Sequence, residues 1–311
     1  MTNQESAAAR AAGDQAPPTS TEGDRATARP TVTIITPSYN QGRFLAAAID
    51  SILAQDYPAI EHLVLDAAST DETLDVLRGY GDRVRWSSEP DHGQGDAIEK
   101  GFARTGGQVI AWLNADDVYL PGAVSAAVAA LEAQPGLAGV YGNAEFIDAA
   151  GAVMGPCTQV EPYDPARLVN QLDYIVQPAT FFRRATYEAA GGLDPGLRYC
   201  LDYDLWIRMG TLAPFRLLER TLAQVRIHAQ TKTASGGLGR LLEIERMIAR
   251  HGRGSLPLGF QREALDAALD GLPGAVRAGR WGEVSQRVSL AARYGARIAG
   301  RRLRRLVRRP A

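Results

Sequence analysis

The sequence predicts an α/β protein in which helices flank a mainly parallel central sheet. Short apolar runs rich in β-branched residues alternate four times with segments of helical periodicity between residues 31 and 131. Such alternation is typical of parallel strands joined by helices. Polar residues follow the apolar runs at their carboxyl ends, the edge where sheets of this kind bind ligands. The sequence therefore predicts one sheet with a ligand site along one edge.

The first half of the chain supplies these elements in regular order. The four strands are expected at residues 32–36, 60–65, 84–86 and 109–113. Ser69 and Glu72 have the spacing of a capping box at the start of the second helix. A glycine-rich turn at residues 91–95 precedes the third helix, and Pro121 opens the fourth. The first helix carries apolar residues at helical spacing, namely Leu45, Ala48, Ile49 and Ile52.

The second half of the chain follows a different pattern. A turn at residues 148–151 predicts a hairpin with strands at residues 140–147 and 152–154. A short helix is expected after Asp202, and residues 217–227 are expected to be extended.

Composition divides the chain into three parts. Residues 1–30 contain almost no large apolar side chains and are predicted to form a disordered tail. Residues 31–235 form the predicted α/β domain, and residues 236–311 a helical C-terminal extension with an arginine-rich end.

Charge and composition also restrict the class of protein. With 34 basic and 35 acidic residues the formal net charge is -1, so no overall charge favours nucleic acid as a partner. Two cysteines do not make a disulfide framework, which favours a reducing compartment. The sequence has neither an apolar run of membrane-spanning length nor a secretory signal pattern. A cytoplasmic location is therefore expected.

The C-terminal end carries a local excess of positive charge. Residues 297–309 hold seven arginines and no acidic residue, with four apolar residues between them. Such a segment suits an interfacial helix on an anionic membrane surface, which would make the protein peripheral at the inner face of the cell membrane. A solvated basic tail is the alternative. No aromatic platform accompanies the arginines, so nucleic acid is not the expected partner.

The acidic pair Asp116 and Asp117 follows the fourth predicted strand. Two carboxylates at a strand end could hold a divalent cation against substrate phosphates, but acidic pairs are also common in ordinary turns. Asp66 ends the second strand and could accept a hydrogen bond from a nucleotide base or ribose, or could simply belong to a turn. Gly93 and Gly95 would let the backbone approach a ligand closely, or again mark only a turn.

Two further polar positions lie in the second half. Asp202, close to Tyr203 and Trp206, could act as a general base toward an acceptor hydroxyl, or could instead begin a helix. His228 follows the extended segment and could be a metal ligand, although a lone histidine more often has a structural role.

Four segments in order resemble family-2 glycosyltransferases with the GT-A fold, a Rossmann-like arrangement. The resemblance covers roughly residues 31 to 232, and the order and spacing of the segments agree as well as their residues. The matching segments are Ile35-Thr36-Pro37-Ser38-Tyr39-Asn40-Gln41, Leu65-Asp66-Ala67-Ala68-Ser69-Thr70-Asp71, Glu89-Pro90-Asp91-His92-Gly93-Gln94-Gly95-Asp96-Ala97-Ile98 and Trp112-Leu113-Asn114-Ala115-Asp116-Asp117.

The resemblance implies inverting transfer of a sugar from a nucleotide-sugar donor with a divalent metal, Mg²⁺ or Mn²⁺. It implies Asp202 as the general base, and a late motif near the diphosphate at Arg226, His228 and Lys232. It implies metal ligands at Asp116 and Asp117, joined by His228. The donor-binding residues it implies are Pro37, Tyr39, Asp66, Gly95, Asp96, Asn114 and Asp116.

The sequence departs from the family pattern at three positions. Many members carry two acids where this chain has Asp66-Ala67. Asn114 stands where the first aspartate of the metal motif is frequent, and Leu201 replaces a frequent glutamate before Asp202.

The expected product is a cell-surface polysaccharide or glycolipid, so the acceptor would be a glycan or a lipid-linked molecule. A degenerate module that binds nucleotide-sugar or glycan without turnover is one alternative. A nucleotidyltransferase is another, although residues 37–42 lack the lysine expected after its first strand.

Overall fold

A computed structural model describes residues 29–252 and 256–307. The predicted disordered tail lies outside these residues except for Arg29 and Pro30. Residues 308–311, which include the end of the arginine-rich segment, also lie outside them. Nine strands of the described chain form one sheet. They are β1 Val32–Ser38, β2 Ile60–Asp66, β3 Arg85–Ser88, β4 Val109–Trp112, β5 Val118–Tyr119, β6 Gly139–Ile147, β7 Val153–Pro156, β8 Thr180–Arg183 and β9 Phe215–Arg226.

The first four strands form the predicted parallel half of the sheet. β1 lies between β2 and β4, and β3 pairs with the outer side of β2, all in parallel. The register places Ser38 beside Asp66 and Asp66 beside Ser88, so the carboxyl ends of β1, β2 and β3 meet at one edge. This edge positions the site described below.

Helices cover this half of the sheet, as expected from the alternating pattern. The capping box predicted at Ser69 and Glu72 is wrong, because Glu72 itself precedes the second helix and its side chain makes no cap hydrogen bond. Ser69 instead bonds to Asp66 and Asn40, and Asp71 accepts from the Thr73 N–H at 3.0 Å. The helices of the first half are α1 Gly42–Leu53, α2 Thr73–Tyr80, α3 Gln94–Ala103 and α4 Ala123–Ala133.

The second half of the sheet is mixed. β6 pairs with β9 in parallel but with β7 and β8 antiparallel, and β8 joins the two halves by an antiparallel pairing with β4. The hairpin of β6 and β7 and the extended segment at β9 are confirmed. The two-residue β5 was not predicted, since it is too short to show a pattern and forms only by pairing with β9.

Among the described residues, eight further helices follow or interrupt this second half. Those of the C-terminal extension pack into the same hydrophobic cluster as the helix that carries Asp202, through residues such as Trp206, Met247 and Tyr294. No helix of the described chain is long and apolar enough to cross a membrane. The helices are α5 Pro165–Asn170, α6 Arg184–Ala189, α7 Leu201–Leu212, α8 Lys232–Ser235, α9 Gly237–Arg250, α10 Leu258–Asp270, α11 Leu272–Arg277 and α12 Trp281–Val307.

Candidate active site

A cavity of about 840 Å³ opens at the carboxyl edge of the parallel strands. The first turns of α3 and α7 and the end of β9 complete its wall. Nine residues predicted for the site line it together. They are Pro37, Tyr39, Gly93, Asn114, Asp116, Asp117, Asp202, Arg226 and Lys232.

The loop after β1 presents Tyr39 to the cavity with 61% of its surface exposed. The next residue, Asn40, has a positive φ of 52°, which asparagine tolerates better than most side chains. Its backbone N–H donates to Ser69 Oγ at 2.7 Å, and its Oδ1 accepts from the Thr70 N–H at 2.8 Å. These bonds fix the loop and leave the Tyr39 ring free to stack on a ligand.

Asp66 ends β2 but does not line the cavity, and only 2% of its surface is exposed. Its carboxylate accepts hydrogen bonds from the Ser69 N–H at 3.0 Å, Ser69 Oγ at 2.5 Å and Ser88 Oγ at 2.6 Å. Such a bonded carboxylate holds the turn that follows it. Ala67 in that turn faces the cavity instead.

The glycine-rich turn before α3 also differs in detail from the expectation. Gly95 and Asp96 do not line the cavity, whereas Gly93 and Gln94 do. Asp96 Oδ2 accepts from the His92 N–H at 3.0 Å and pairs with Lys100 at 2.9 Å. Gly93 has a φ of 112°, so this is the glycine that the turn requires.

Asn114 is the centre of a chain of amide hydrogen bonds. Its Nδ2 donates to Asp117 Oδ2 at 2.9 Å and to Gln177 Oε1 at 3.1 Å, while its Oδ1 accepts from Gln94 Nε2 at 2.6 Å. Gln94 Oε1 in turn accepts from Lys232 Nζ at 2.5 Å. An ionised aspartate could accept but not donate, so the asparagine allows this arrangement where the family pattern has an acid.

The acidic pair is held by the end of β9. Asp117 is buried, and its Oδ1 accepts from the Arg226 backbone N–H at 3.0 Å. The Arg226 guanidinium Nε donates to the Asp116 carbonyl at 2.9 Å. Burial and the neighbouring charge of Asp116 raise the pKa of Asp117 well above its usual range. The Asn114 hydrogen bond and the charge of Arg226 act in the opposite direction on this pKa.

The two carboxylates fit a divalent cation, because the positive charge of the ion would favour the ionised form of the buried Asp117. In the described chain no group of three or more His, Cys, Asp or Glu side chains is arranged to hold a metal. Mg²⁺ in proteins is commonly held by one or two carboxylates together with substrate phosphates, and Asp116 and Asp117 would supply the carboxylates here.

His228 lies beside this pair but outside the cavity lining. Its Nε2 is 3.0 Å from Asp116 Oδ2, and its ring packs on Phe44 with centroids 4.9 Å apart. Nδ1 accepts from the Gln230 N–H at 3.3 Å, which places the proton of a neutral ring on Nε2, facing Asp116. His228 thus orients Asp116, and ligation through Nε2 would require that proton to leave.

Asp202 lies in the first turn of α7 and lines the cavity. Its Oδ1 accepts from the Tyr203 N–H at 2.9 Å. Burial raises the pKa of Asp202. The pKa of Asp173 is also raised, by burial and by the negative charge of Asp202. Lys232 and Arg240 act in the opposite direction on Asp202. The carboxyl group is thus a stronger base than an exposed aspartate.

Gln94, Arg198, Tyr199 and Gln230 are among the lining residues that the sequence did not single out. Gln94 lay in a predicted polar turn, so its neighbourhood was identified but not its role. Arg198 and Tyr199 precede α7 in a segment without a recognisable pattern, and Gln230 follows His228 in a short loop. Arg198, Tyr199 and Gln230 can be identified as site residues only from their position on the cavity wall.

We expect that Asn114→Asp lowers the free energy of unfolding by about 1–3 kcal/mol, the usual cost of leaving buried polar groups without partners. The new carboxylate would face the oxygens of Asp117 and Gln177 in place of the present donor. Urea denaturation measures the change. Asn143→Asp, on β6 and outside the cavity lining, is the control. Equal losses for the two variants would contradict the role of the Asn114 amide.

Comparison with known proteins identifies the family. The model of "Glycosyl transferase family 2" matches residues 33–189. The chain is also 30% identical over 222 residues to an uncharacterized glycosyltransferase of Rickettsia prowazekii, which covers 70% of both chains. The chain belongs to glycosyl transferase family 2. This confirms the resemblance and the enzyme class, a glycosyltransferase.

Other relatives differ in how much of them is matched. A Rickettsia felis glycosyltransferase is 30% identical over 213 residues, which is 65% of this chain but only 35% of the relative. One from Mycobacterium tuberculosis is 27% identical over 236 residues, 73% of this chain and 88% of the relative. Asp202, Arg226, His228 and Lys232 all follow the segment that the family model matches.

Solved structures confirm the GT-A fold. A mannosyltransferase from Pyrobaculum calidifontis, in complex with GDP-Man and Mn²⁺, gives a TM-score of 0.58 at 19% identity, with 86% of this chain and 81% of that chain covered. TarS 1-349 of S. aureus, in complex with UDP-GlcNAc, gives 0.56 at 14% identity, with 86% and 92% covered.

Proposed function

We propose that this glycosyltransferase moves a sugar from a nucleoside-diphosphate donor to a hydroxyl acceptor, with inversion at the anomeric carbon and with Mg²⁺ or Mn²⁺. The observation that carries the proposal is the shared cavity of Asp116, Asp117 and Asp202, which come from distant parts of the chain. The mannosyltransferase complex with GDP-Man and Mn²⁺ supports the choice of donor class and metal.

In the proposed reaction Asp202 accepts the proton of the acceptor hydroxyl. The hydroxyl oxygen attacks the anomeric carbon, the bond to the diphosphate oxygen breaks, and its electron pair leaves with the diphosphate. Lys232 and Arg198 line the same cavity and supply positive charge for the diphosphate. The Tyr39 ring can stack on the nucleotide base.

Asp116 and Asp117 would hold the divalent cation, with His228 beside Asp116. A bound cation neutralises negative charge on the departing diphosphate. Arg226 keeps the two acids in place through its contacts with Asp117 and the Asp116 carbonyl.

A screen of nucleoside diphosphates and nucleotide-sugars with Mn²⁺, read as thermal shift, tests the donor proposal. A ligand that binds only the folded state raises the melting temperature by mass action. We expect one nucleotide to stand out and its sugar conjugate to be hydrolysed slowly without acceptor. Binding without any hydrolysis or transfer would instead indicate a degenerate binding module, and no binding at all would contradict the proposal.

We also propose that the C-terminal helices lie on an anionic membrane surface at the inner face of the cell membrane, within reach of a lipid-linked acceptor. Trp281 and Val288 of α12 are 68% and 51% exposed. Ala292 and Ala299 are also exposed and follow at spacings that place them on the same face. Residues 271–307 contain nine arginines and one acidic residue, Glu283, so the charge complements anionic lipid.

Sedimentation with vesicles tests this surface. We expect the full chain to bind vesicles that contain phosphatidylglycerol and to bind pure phosphatidylcholine weakly. Trp281→Ser combined with Val288→Ser should reduce binding, whereas Leu53→Ser, at an exposed apolar site on α1, should not. Equal binding by the double variant and the control would overturn the proposal.

A further inference from the structure

The segment that leads into α7 is fixed by a residue of the C-terminal extension. The backbone N–H groups of Arg198, Tyr199 and Cys200 all donate to Glu243 Oε1, at 3.0, 2.6 and 3.2 Å. The Cys200 thiol donates to the same oxygen at 3.4 Å. Asp202 follows two residues later, so the carboxylate of Glu243 fixes the backbone from which the proposed base projects.

The chemistry of this contact is well matched. Glu243 lies on α9 with only 8% of its surface exposed. Successive N–H groups at the start of a helix lack intrahelical partners and carry partial positive charge. A buried carboxylate is the strongest acceptor that a side chain can offer them. In return these donors compensate the burial of the charge.

A second contact joins the same two helices. His251, at the end of α9, places Nε2 2.9 Å from Asp204 Oδ1, and Arg208 Nε donates to Asp204 Oδ2 at 2.7 Å. Burial alone would oppose ionisation of Asp204, but these bonds hold its pKa below the usual range. Thus α9 contacts α7 through polar groups on both sides of Asp202.

We propose that Glu243 is a positioning residue that sets the place of Asp202, Arg198 and Tyr199 on the cavity wall. The inference rests on the proposed function, because it concerns the base of that reaction. Glu243 does not line the cavity and acts only through the segment it holds. It makes the C-terminal extension a part of the active-site architecture.

A positioning role predicts an uneven effect on the kinetic constants. The carboxylates of Asp116 and Asp117 are held by Asn114, Arg226 and His228, none of which contacts Glu243. Loss of Glu243 should therefore lower kcat more than donor affinity, because the base moves while the donor loses only the contribution of Arg198. A displacement of about 1 Å at the reacting groups can lower the rate by about 10²-fold.

The experiment compares Glu243→Ala, Glu243→Gln and wild type in the full-length chain. For Glu243→Ala we expect kcat to fall by about 10²-fold, with a much smaller loss of affinity for the nucleoside diphosphate in the presence of Mn²⁺. Glu243→Gln retains an oxygen acceptor and should recover most of the activity. Amide hydrogen exchange in residues 198–202 should accelerate in Glu243→Ala, more than in β1–β4.

Glu245→Ala is the matched control, since Glu245 lies on the same helix but contacts Arg293 and Arg297 of α12. It should keep wild-type kcat and wild-type exchange at residues 198–202. Unchanged kcat and exchange in Glu243→Ala, beside an active wild type, would overturn the inference alone. An equal loss of kcat and donor affinity would also overturn the inference, because it would indicate a general loss of structure. An inactive wild type would overturn the proposed function, and exchange would still decide whether Glu243 fixes the segment.

Discussion

Asp202→Asn is expected to lower the rate of sugar transfer by about 10²- to 10⁴-fold, the range that a positioned general base contributes. Asparagine keeps the shape of the side chain and can still accept from the Tyr203 N–H, but it cannot take up a proton. Donor binding should persist, because the acids that would hold the metal belong to another segment. Steady-state transfer assays together with nucleotide titration measure both effects.

The pH dependence of the wild type supplies an independent check. A general base acts only when ionised, so kcat/KM should fall as the pH decreases through the pKa of Asp202. Burial raises that pKa despite the opposing charges of Lys232 and Arg240. The acidic half-point should thus lie above the usual range of an aspartate. Asp75→Asn, at an exposed ion pair on α2, should leave rate and profile unchanged. A near-wild-type rate in Asp202→Asn would assign the base elsewhere.

Asp116→Asn is expected to lower the transfer rate by roughly 10²-fold or more, since a bound metal contributes several kcal/mol of charge stabilisation. Unlike Asp202→Asn, it should weaken donor affinity, and only in the presence of Mn²⁺. The reason is that Asp116 lines the cavity beside Asp117 and would help to hold the cation that neutralises the diphosphate. Isothermal titration with and without Mn²⁺ separates the two contributions.

Chelation gives the matching result without a substitution. Treatment with a metal chelator should abolish transfer, and added Mn²⁺ or Mg²⁺ should restore it. His228→Gln tests the orienting role, because an amide can still donate to Asp116. We expect it to be milder than Asp116→Asn. Full activity after exhaustive chelation would remove the cation from the mechanism.

Many residues of the proposed donor site could be predicted from the sequence, because they directly follow recognisable strands. Apolar runs reveal the strands, and parallel strands bring their carboxyl ends to one edge, so Tyr39 and Asp116 could be placed near each other in advance. The direction of a side chain at such an edge is not visible in the sequence. Asp66 and Asp96 have the right position along the chain, yet their carboxylates bond within their own turns.

The surroundings of Asp202, on the proposed acceptor side, were harder to predict because contacts between distant parts of the chain determine them. Glu243 is 44 residues from Tyr199, and no periodicity connects a glutamate on a late helix with the turn before α7. The mixed strand directions in the second half of the sheet could not be predicted for the same reason. β8 and β6 pair antiparallel although α5 and a long connection separate them in the chain, so their local patterns contain no information about their partners.

The covered carboxylate of Asp66 has a practical consequence for redesigning donor preference. A mutant library randomised at this position would be dominated by variants in which Ser69 and Ser88 lose their acceptor, and selection would remove them for poor folding rather than for altered base choice. Tyr39 and Ala67 both face the cavity. Diversity introduced at those two codons would sample nucleotide recognition directly.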